Sequence, residues 1–155
     1  MTHPIRVLVV DDSVFMQMAI RAMLKADPNI EVVGEAVDGE RAVEMAERLK
    51  PDVITMDVAM PVLDGLEATR QIMAKAPAPI IMLSSLTEKG VVTTFQALEL
   101  GAVDYVAKAS SAIDIDLSTI AEQVAAKIRF WGHRKATSSL ARGVNLPTVP
   151  RTRIC

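Results

Sequence analysis

The chain has 155 residues, half of them hydrophobic, but only five aromatic side chains against nine Met; this predicts a single domain with room for an appendage, excludes wholesale disorder and requires an aliphatic core. The net charge of −2 is unevenly spread: from His133 onward Arg134, Lys135, Arg142, Arg151 and Arg153 stand without an acid, so that segment carries +5 and residues 1–131 carry −7. An acidic globule argues against nucleic acid as its ligand, a lone Cys155 forbids an internal disulfide, and the absence of a long apolar run or a signal peptide makes a cytoplasmic protein without membrane association the default expectation.

Ile5-Arg-Val-Leu-Val-Val10 is a β-branched run that ends in two carboxylates. Ser13 is placed to cap a helix through about Lys25, with Val14, Met18 and Ala22 expected on its inward face. After the Asp27-Pro28-Asn29 break, Ile30 to Ala36 reads as a more exposed strand. Asp38-Gly39 turns into a helix over Glu40 to Leu49, with Ala42, Val43 and Ala46 inward. Val53 to Asp57 is a third strand ending in a carboxylate. Met60 to Gly65 is a loop, and Leu66 to Ala74 a helix ended by Pro77 and Pro79. Ile80 to Leu83, wholly apolar, reads as an interior strand. Glu88 to Leu100 is helical with Val91, Phe95 and Leu98 aligned, and Gly101 stops it. Asp104 to Ala107 is a fifth strand, followed by Lys108. A last helix, with Ile113, Leu117, Ile120, Val124 and Ile128 at steps of three or four, is expected to end at Phe130. Five alternations in about 130 residues predict an α/β fold, a parallel sheet with helices on both faces.

In such a sheet ligands bind at the carboxyl ends of the strands. Those ends carry Asp11-Asp12, Asp57, Ser84-Ser85 and Lys108. Three carboxylates at one rim repel one another unless a hard cation joins them. Magnesium suits Asp11 or Asp12 with Asp57, a backbone carbonyl near Ala59 and water, because it takes one or two carboxylates and keeps several waters. An Asp carboxylate can accept a phosphoryl group, and transfer needs chiefly positioning and charge neutralisation. Lys108 would supply a point charge and Ser84 a hydrogen bond. No Gly-rich phosphate loop is present, so ATP is not the expected direct ligand. Singly, each residue has a plainer reading: Asp and Ser as helix caps, Asp57 as a turn residue, Lys108 as a solvated charge. The coincidence at four strand ends favours the phosphoryl site.

Val7-Leu-Val-Val-Asp-Asp-Ser13, Asp57-Val-Ala-Met-Pro-Val-Leu-Asp-Gly65, Ile80-Ile-Met-Leu-Ser84 and Gly101-Ala-Val-Asp-Tyr-Val-Ala-Lys108 resemble the receiver domain of two-component response regulators, over about Ile5 to Phe130. The resemblance implies a flavodoxin-like (βα)5 doubly wound sheet of order 2-1-3-4-5. It implies Asp57 as phosphoacceptor, and Asp11, Asp12, Asp57 and the Ala59 carbonyl as Mg2+ ligands. Lys108 would be the conserved-type lysine, Ser84 the switch hydroxyl and Tyr105 the aromatic switch. The phosphoryl donor would be a histidine kinase. Ser84 to Gly90, Ala97 to Tyr105 and Ile113 to Leu117 are most similar to the front of chemotaxis protein-glutamate methylesterases. There the receiver precedes an esterase domain, whose nucleophile motif this chain lacks. The chain is therefore expected to be a phosphoacceptor switch and not itself an enzyme, with residues 1–131 the receiver and 132–155 a basic flexible linker to a C-terminal effector domain.

One departure from the family is Ala109, where receivers usually carry Pro after the lysine with a cis bond. Before a non-proline residue cis costs about 2.5–4 kcal/mol, so either a trans bond with a shifted loop or a strained cis bond is expected here. Competing readings are a stand-alone single-domain regulator, an unphosphorylated interaction module, and a haloacid-dehalogenase-type phosphatase. The last needs a second Asp two residues after the first, where this chain has Ala59.

Overall fold

Five short runs rich in β-branched and aliphatic residues pair side by side, the interior ones buried on both faces. In a computed structural model, which describes residues 3–58, 60, 62–84, 88–108 and 117–141, they form strands β1 (Ile5–Val10), β2 (Ile30–Ala36), β3 (Val53–Asp57), β4 (Ile80–Ser84) and β5 (Asp104–Ala107). Helices α1 (Val14–Lys25), α2 (Gly39–Leu49), α3 (Gly65–Lys75), α4 (Glu88–Leu100) and α5 (Leu117–Ala141) alternate with them. All pairings are parallel and the order is β2-β1-β3-β4-β5, the flavodoxin-like arrangement expected from the resemblance.

Alternate residues of each strand serve two cores. Leu8, Val10, Ile54, Met56, Ile80 and Met82 pack beneath α2, α3 and Ala97 of α4. Val7, Val9, Val53, Ile81, Leu83 and Val106 pack beneath Ile20 and Leu24 of α1 and Ile120, Val124 and Ile128 of α5. Burying each of these side chains contributes roughly 1.5–3 kcal/mol, which is what fixes the register and hence the strand ends. Edge strand β2 is more exposed than the interior strands, as expected, and shifts register between its pairings with Val7 and Leu8.

Helix starts follow side-chain caps: Ser13, Asp38 and Asp64 accept backbone N–H bonds from Met16, Arg41 and Glu67. Gly101 adopts φ +124°, a conformation that glycine takes without steric cost and that ends α4.

Three expectations are corrected. On α1 the buried residues are Met16, Gln17, Ile20 and Leu24, while Val14 and Met18 are exposed; the helix carries apolar residues almost all round, so periodicity alone admits two faces. On α4, Val91 and Phe95 are exposed, and the inward line is the small set Gly90, Thr94 and Ala97, which lets the helix lie close to β4. Helix α5 does not end at Phe130 but continues to Ala141; its apolar periodicity stops in the sequence after Ile128, while Arg134, Lys135 and Ala136 are good helix formers. Trp131 is thus a helical residue, its indole Nε1 donating to Asp104 Oδ2 at 3.0 Å. Among the described residues no helix is long and apolar enough to cross a membrane.

Candidate functional site

Strand register assembles the site. Val10 pairs with Met56, so the residues that follow, Asp11 and Asp57, leave neighbouring strands together. Asp57 pairs with Leu83, and Ser84 with Ala107. The Lys108 N–H donates to the Ser84 carbonyl at 2.7 Å, holding the lysine at the same rim.

One carboxylate oxygen from each of Asp11, Asp12 and Asp57 lies within 4.8 Å of the others. Asp11 and Asp57 are buried and Asp12 is exposed. Lys108 Nζ stands 3.2 Å from Asp57 Oδ1 and 3.5 Å from Asp11 Oδ2. Burial above all, opposed by Lys108 and reinforced by Asp11 and then Asp12, leaves the Asp57 carboxyl raised to about 7. Two unit charges at 4.8 Å repel by roughly 3.5 kcal/mol at an effective dielectric of about 20. A single lysine does not neutralise three such groups.

Asp11 carries the donor chemistry that tests the fit of a cation. Its Oδ1 accepts the Ser13 N–H at 2.9 Å, whereas Oδ2 is buried with no hydrogen-bond partner. An orphaned carboxylate oxygen beside two further carboxylates fits a hard divalent cation with oxygen preference. The Ala59 carbonyl expected in the shell, and the Lys108–Ala109 bond, lie outside the described residues. The Lys108 ammonium itself is within reach of Asp57 whatever follows it.

Ser84 is buried, its hydroxyl donating to the Gly90 carbonyl at 3.2 Å; Thr94 Oγ1 donates to the same carbonyl at 2.7 Å. Beside them lies a cavity of about 120 Å³ lined by Ser84, Val91, Thr94, Phe95, Tyr105 and Ala107. Tyr105 is 48% exposed, so its ring points largely to solvent next to that space. The rim therefore brings together Asp11, Asp12, Asp57 and Lys108, with Ser84 one strand further along. Tyr105 sits on the outer surface.

The sequence did not single out Thr94, Gln17 or Asp104. Thr94 and Gln17 are polar residues at inward helical positions, a signal visible only once the helix face is known. Asp104 accepts hydrogen bonds from Tyr105 N, Lys127 Nζ and Trp131 Nε1. Burial would raise its carboxyl, but those bonds outweigh it and hold the group below the usual value.

The sheet order with its acidic rim and lysine is a flavodoxin-like arrangement, and residues 7–119 match the response regulator receiver domain family, to which the chain belongs. The chain is 47% identical over 152 residues to protein-glutamate methylesterase/protein-glutamine glutaminase 2 of Carboxydothermus hydrogenoformans, covering 96% of this chain and 43% of that protein. It is 51% identical over 125 residues to the protein of the same description from Thermotoga maritima, covering 81% of this chain and 36% of that protein. The crystal structure of the response regulator domain of Thermotoga maritima CheB superposes with a TM-score of 0.76 at 48% identity, covering 84% of this chain and 98% of that domain. The chain thus spans less than half of these methylesterases and corresponds to their receiver part.

Proposed function

We propose that this receiver is a magnesium-dependent phosphorylation switch in a chemotaxis-type two-component pathway. The supporting observation is the rim itself: three Asp oxygens within 4.8 Å of one another and Lys108 Nζ 3.2 Å from Asp57 Oδ1. Asp11, Asp12, Asp57 and the Ala59 carbonyl would hold Mg2+, which when bound neutralises the carboxylates and a phosphoryl oxygen. An Asp57 carboxylate oxygen attacks the phosphorus of a phosphohistidine on a partner kinase. The new O–P bond forms as the P–N bond breaks, and the imidazole nitrogen leaves with the bonding pair. Lys108 turns its ammonium toward the transferred group.

Ser84 then donates to a phosphoryl oxygen instead of to Gly90. The cost of that exchange is small, since Thr94 continues to satisfy the Gly90 carbonyl. Tyr105 turns into the cavity behind Ser84, and the surface of α4, β5 and α5 repacks. In a longer chemotaxis protein this surface would restrain a methylesterase domain until phosphorylation; of the linker expected over residues 132–155, the part to Ala141 belongs to α5, and residues 142–155, which lie outside the described residues, would be the linker. Cytoplasmic location follows from the kinase partner.

Incubation with acetyl phosphate and Mg2+, followed by intact-mass measurement, tests the reading. A single added phosphoryl group, absent in Asp57→Asn and absent in EDTA, is expected. Labelling that persists in Asp57→Asn would overturn Asp57 as the acceptor, and no labelling together with no Mg2+ binding by calorimetry at millimolar metal would overturn the reading in favour of an unphosphorylated interaction module.

A further inference from the structure

Gln17 on α1 is a buried polar side chain, 6% exposed, with no part in the chemistry above. Its Nε2 donates to two backbone carbonyls, Asp11 O at 2.7 Å and Ala36 O at 2.8 Å. The opposite amide orientation would set Oε1 against two carbonyl oxygens, so the donor assignment follows from the acceptors. The Asp11 N–H donates to the same Ala36 carbonyl at 3.0 Å. These contacts lie where β1 and β2 end: the Asp11 N–H makes the last bond of the ladder, and the Asp11 carbonyl beyond it is served by Gln17. Gln17 thereby closes the end of the ladder.

Closure matters because of what Asp11 does next. With its main chain fixed by Gln17 and its Oδ1 taken by the Ser13 N–H at 2.9 Å, the carboxylate has one oxygen left. That oxygen, Oδ2, is the buried atom without a hydrogen-bond partner, 3.5 Å from the Lys108 Nζ that also pairs with Asp57, and Asp11 is one of the three residues of the carboxylate cluster. The side chain is held at both ends of the residue, and a single atom is aimed at the shared locus.

We infer that Gln17 is a positioning residue for the cation site: it fixes the Asp11 backbone so that Oδ2 is presented to a small octahedral cation. This rests on the reading of the rim as a magnesium site. A residue that only satisfied buried carbonyls would change stability and nothing else. A residue that aims a ligand also changes discrimination between cations. Mg2+ requires near-ideal octahedral geometry at short range, whereas Ca2+ accepts longer and more variable ligand sets. Loosening Asp11 therefore penalises Mg2+ more than Ca2+.

The experiment is calorimetric titration of the full chain with MgCl2 and separately with CaCl2. It compares wild type with Gln17→Met, which keeps length but removes the donor, and with Ile20→Ala, a destabilising control on the same inward face of α1. Gln17→Met is expected to raise the Mg2+ dissociation constant about tenfold and the Ca2+ constant by less than about threefold, with both constants within about twofold of wild type in Ile20→Ala. Should Gln17→Met fail to fold, Gln17→Asn, which keeps the donors but falls short of both carbonyls, is expected to show the same unequal loss at smaller amplitude. Unchanged Mg2+ affinity in the Gln17 variants, or equal loss for the two cations, overturns the inference while leaving the magnesium site standing. Absence of Mg2+ binding in wild type overturns the site and this inference together.

Discussion

Replacing Asp57 by Asn should stabilise the metal-free protein at alkaline pH. The Asp57 carboxyl is raised from 3.8 to about 7, chiefly by burial, with Asp11 and Asp12 adding to the shift and Lys108 opposing it. Between those two values the folded chain keeps a proton that the unfolded chain has released. Stability from this group is therefore fully present at low pH, falls as pH rises toward about 7, and stays low above it. At about 1.4 kcal/mol per pH unit the full shift corresponds to at most about 4 kcal/mol. The shift already includes the attraction to Lys108, and asparagine stands in for the protonated carboxyl, so the expected gain is up to about 4 kcal/mol, or about 8–16 °C in Tm for a chain of this size. Scanning calorimetry at pH 8 in EDTA should show Asp57→Asn melting above wild type, with the gap closing toward pH 4. Adding MgCl2 should reverse the order, because the cation stabilises the ionised rim of wild type more than that of the variant. An Asp57→Asn protein that melts lower than wild type at pH 8 without metal, or a gap that does not depend on pH, would refute the reasoning.

Further outcomes follow from the same contacts. Lys108→Met leaves the buried Asp11 and Asp57 without their cation and should lower Tm at pH 8 in EDTA, with millimolar Mg2+ restoring most of the loss in the same scan. Gly65→Ala would drive a Cβ into the Asp57 carbonyl oxygen; moving that backbone should cost about 2 kcal/mol or more in urea unfolding and weaken Mg2+ binding by calorimetry. Trp131→Phe removes one hydrogen bond to Asp104 and should cost about 1 kcal/mol by urea titration followed by circular dichroism. Because the Asp104 carboxyl is held below its ordinary value, that loss should be present above the usual carboxylate range and shrink as pH falls through it.

The rim was legible in the sequence because a strand that ends in a functional residue leaves a simple linear signal: a β-branched run, then Asp11, Asp57, Ser84 or Lys108. Parallel topology does the rest, carrying all four to one edge. Helix faces were less legible. On α1, both Val14–Met18–Ala22 and Met16–Ile20–Leu24 satisfy a helical period, and the choice is made by the Gln17 amide reaching the ends of β1 and β2. On α4 the large residues Val91 and Phe95 drew attention, but contact distance with β4 selects Gly90, Thr94 and Ala97. The Asp104 network and the reach of α5 to Ala141 carry no local pattern, since they join residues more than twenty positions apart or depend on helix propensity alone.

The distribution of burial explains why a charge placed on Asp57 would be felt on one side of the molecule. Strands β1 and β3 are interior and almost wholly buried, and α1 is pinned to β1 and β2 through Gln17. A displacement in that direction must disturb packed aliphatic side chains, each worth a few kcal/mol. Toward the other edge resistance drops: β5 has four residues, of which only Val106 is buried, and it borders the cavity beside Ser84. Ser84 is already bonded to a carbonyl that Thr94 also serves, and Tyr105 already stands half in solvent. Few contacts must break for that edge to adopt a second arrangement, and regions with few buried contacts are where low-energy rearrangements concentrate. In the proposed switch, direction is therefore set by the contrast in packing across the sheet, and the phosphoryl group needs to supply only the difference between two nearly balanced arrangements of β4, α4 and β5.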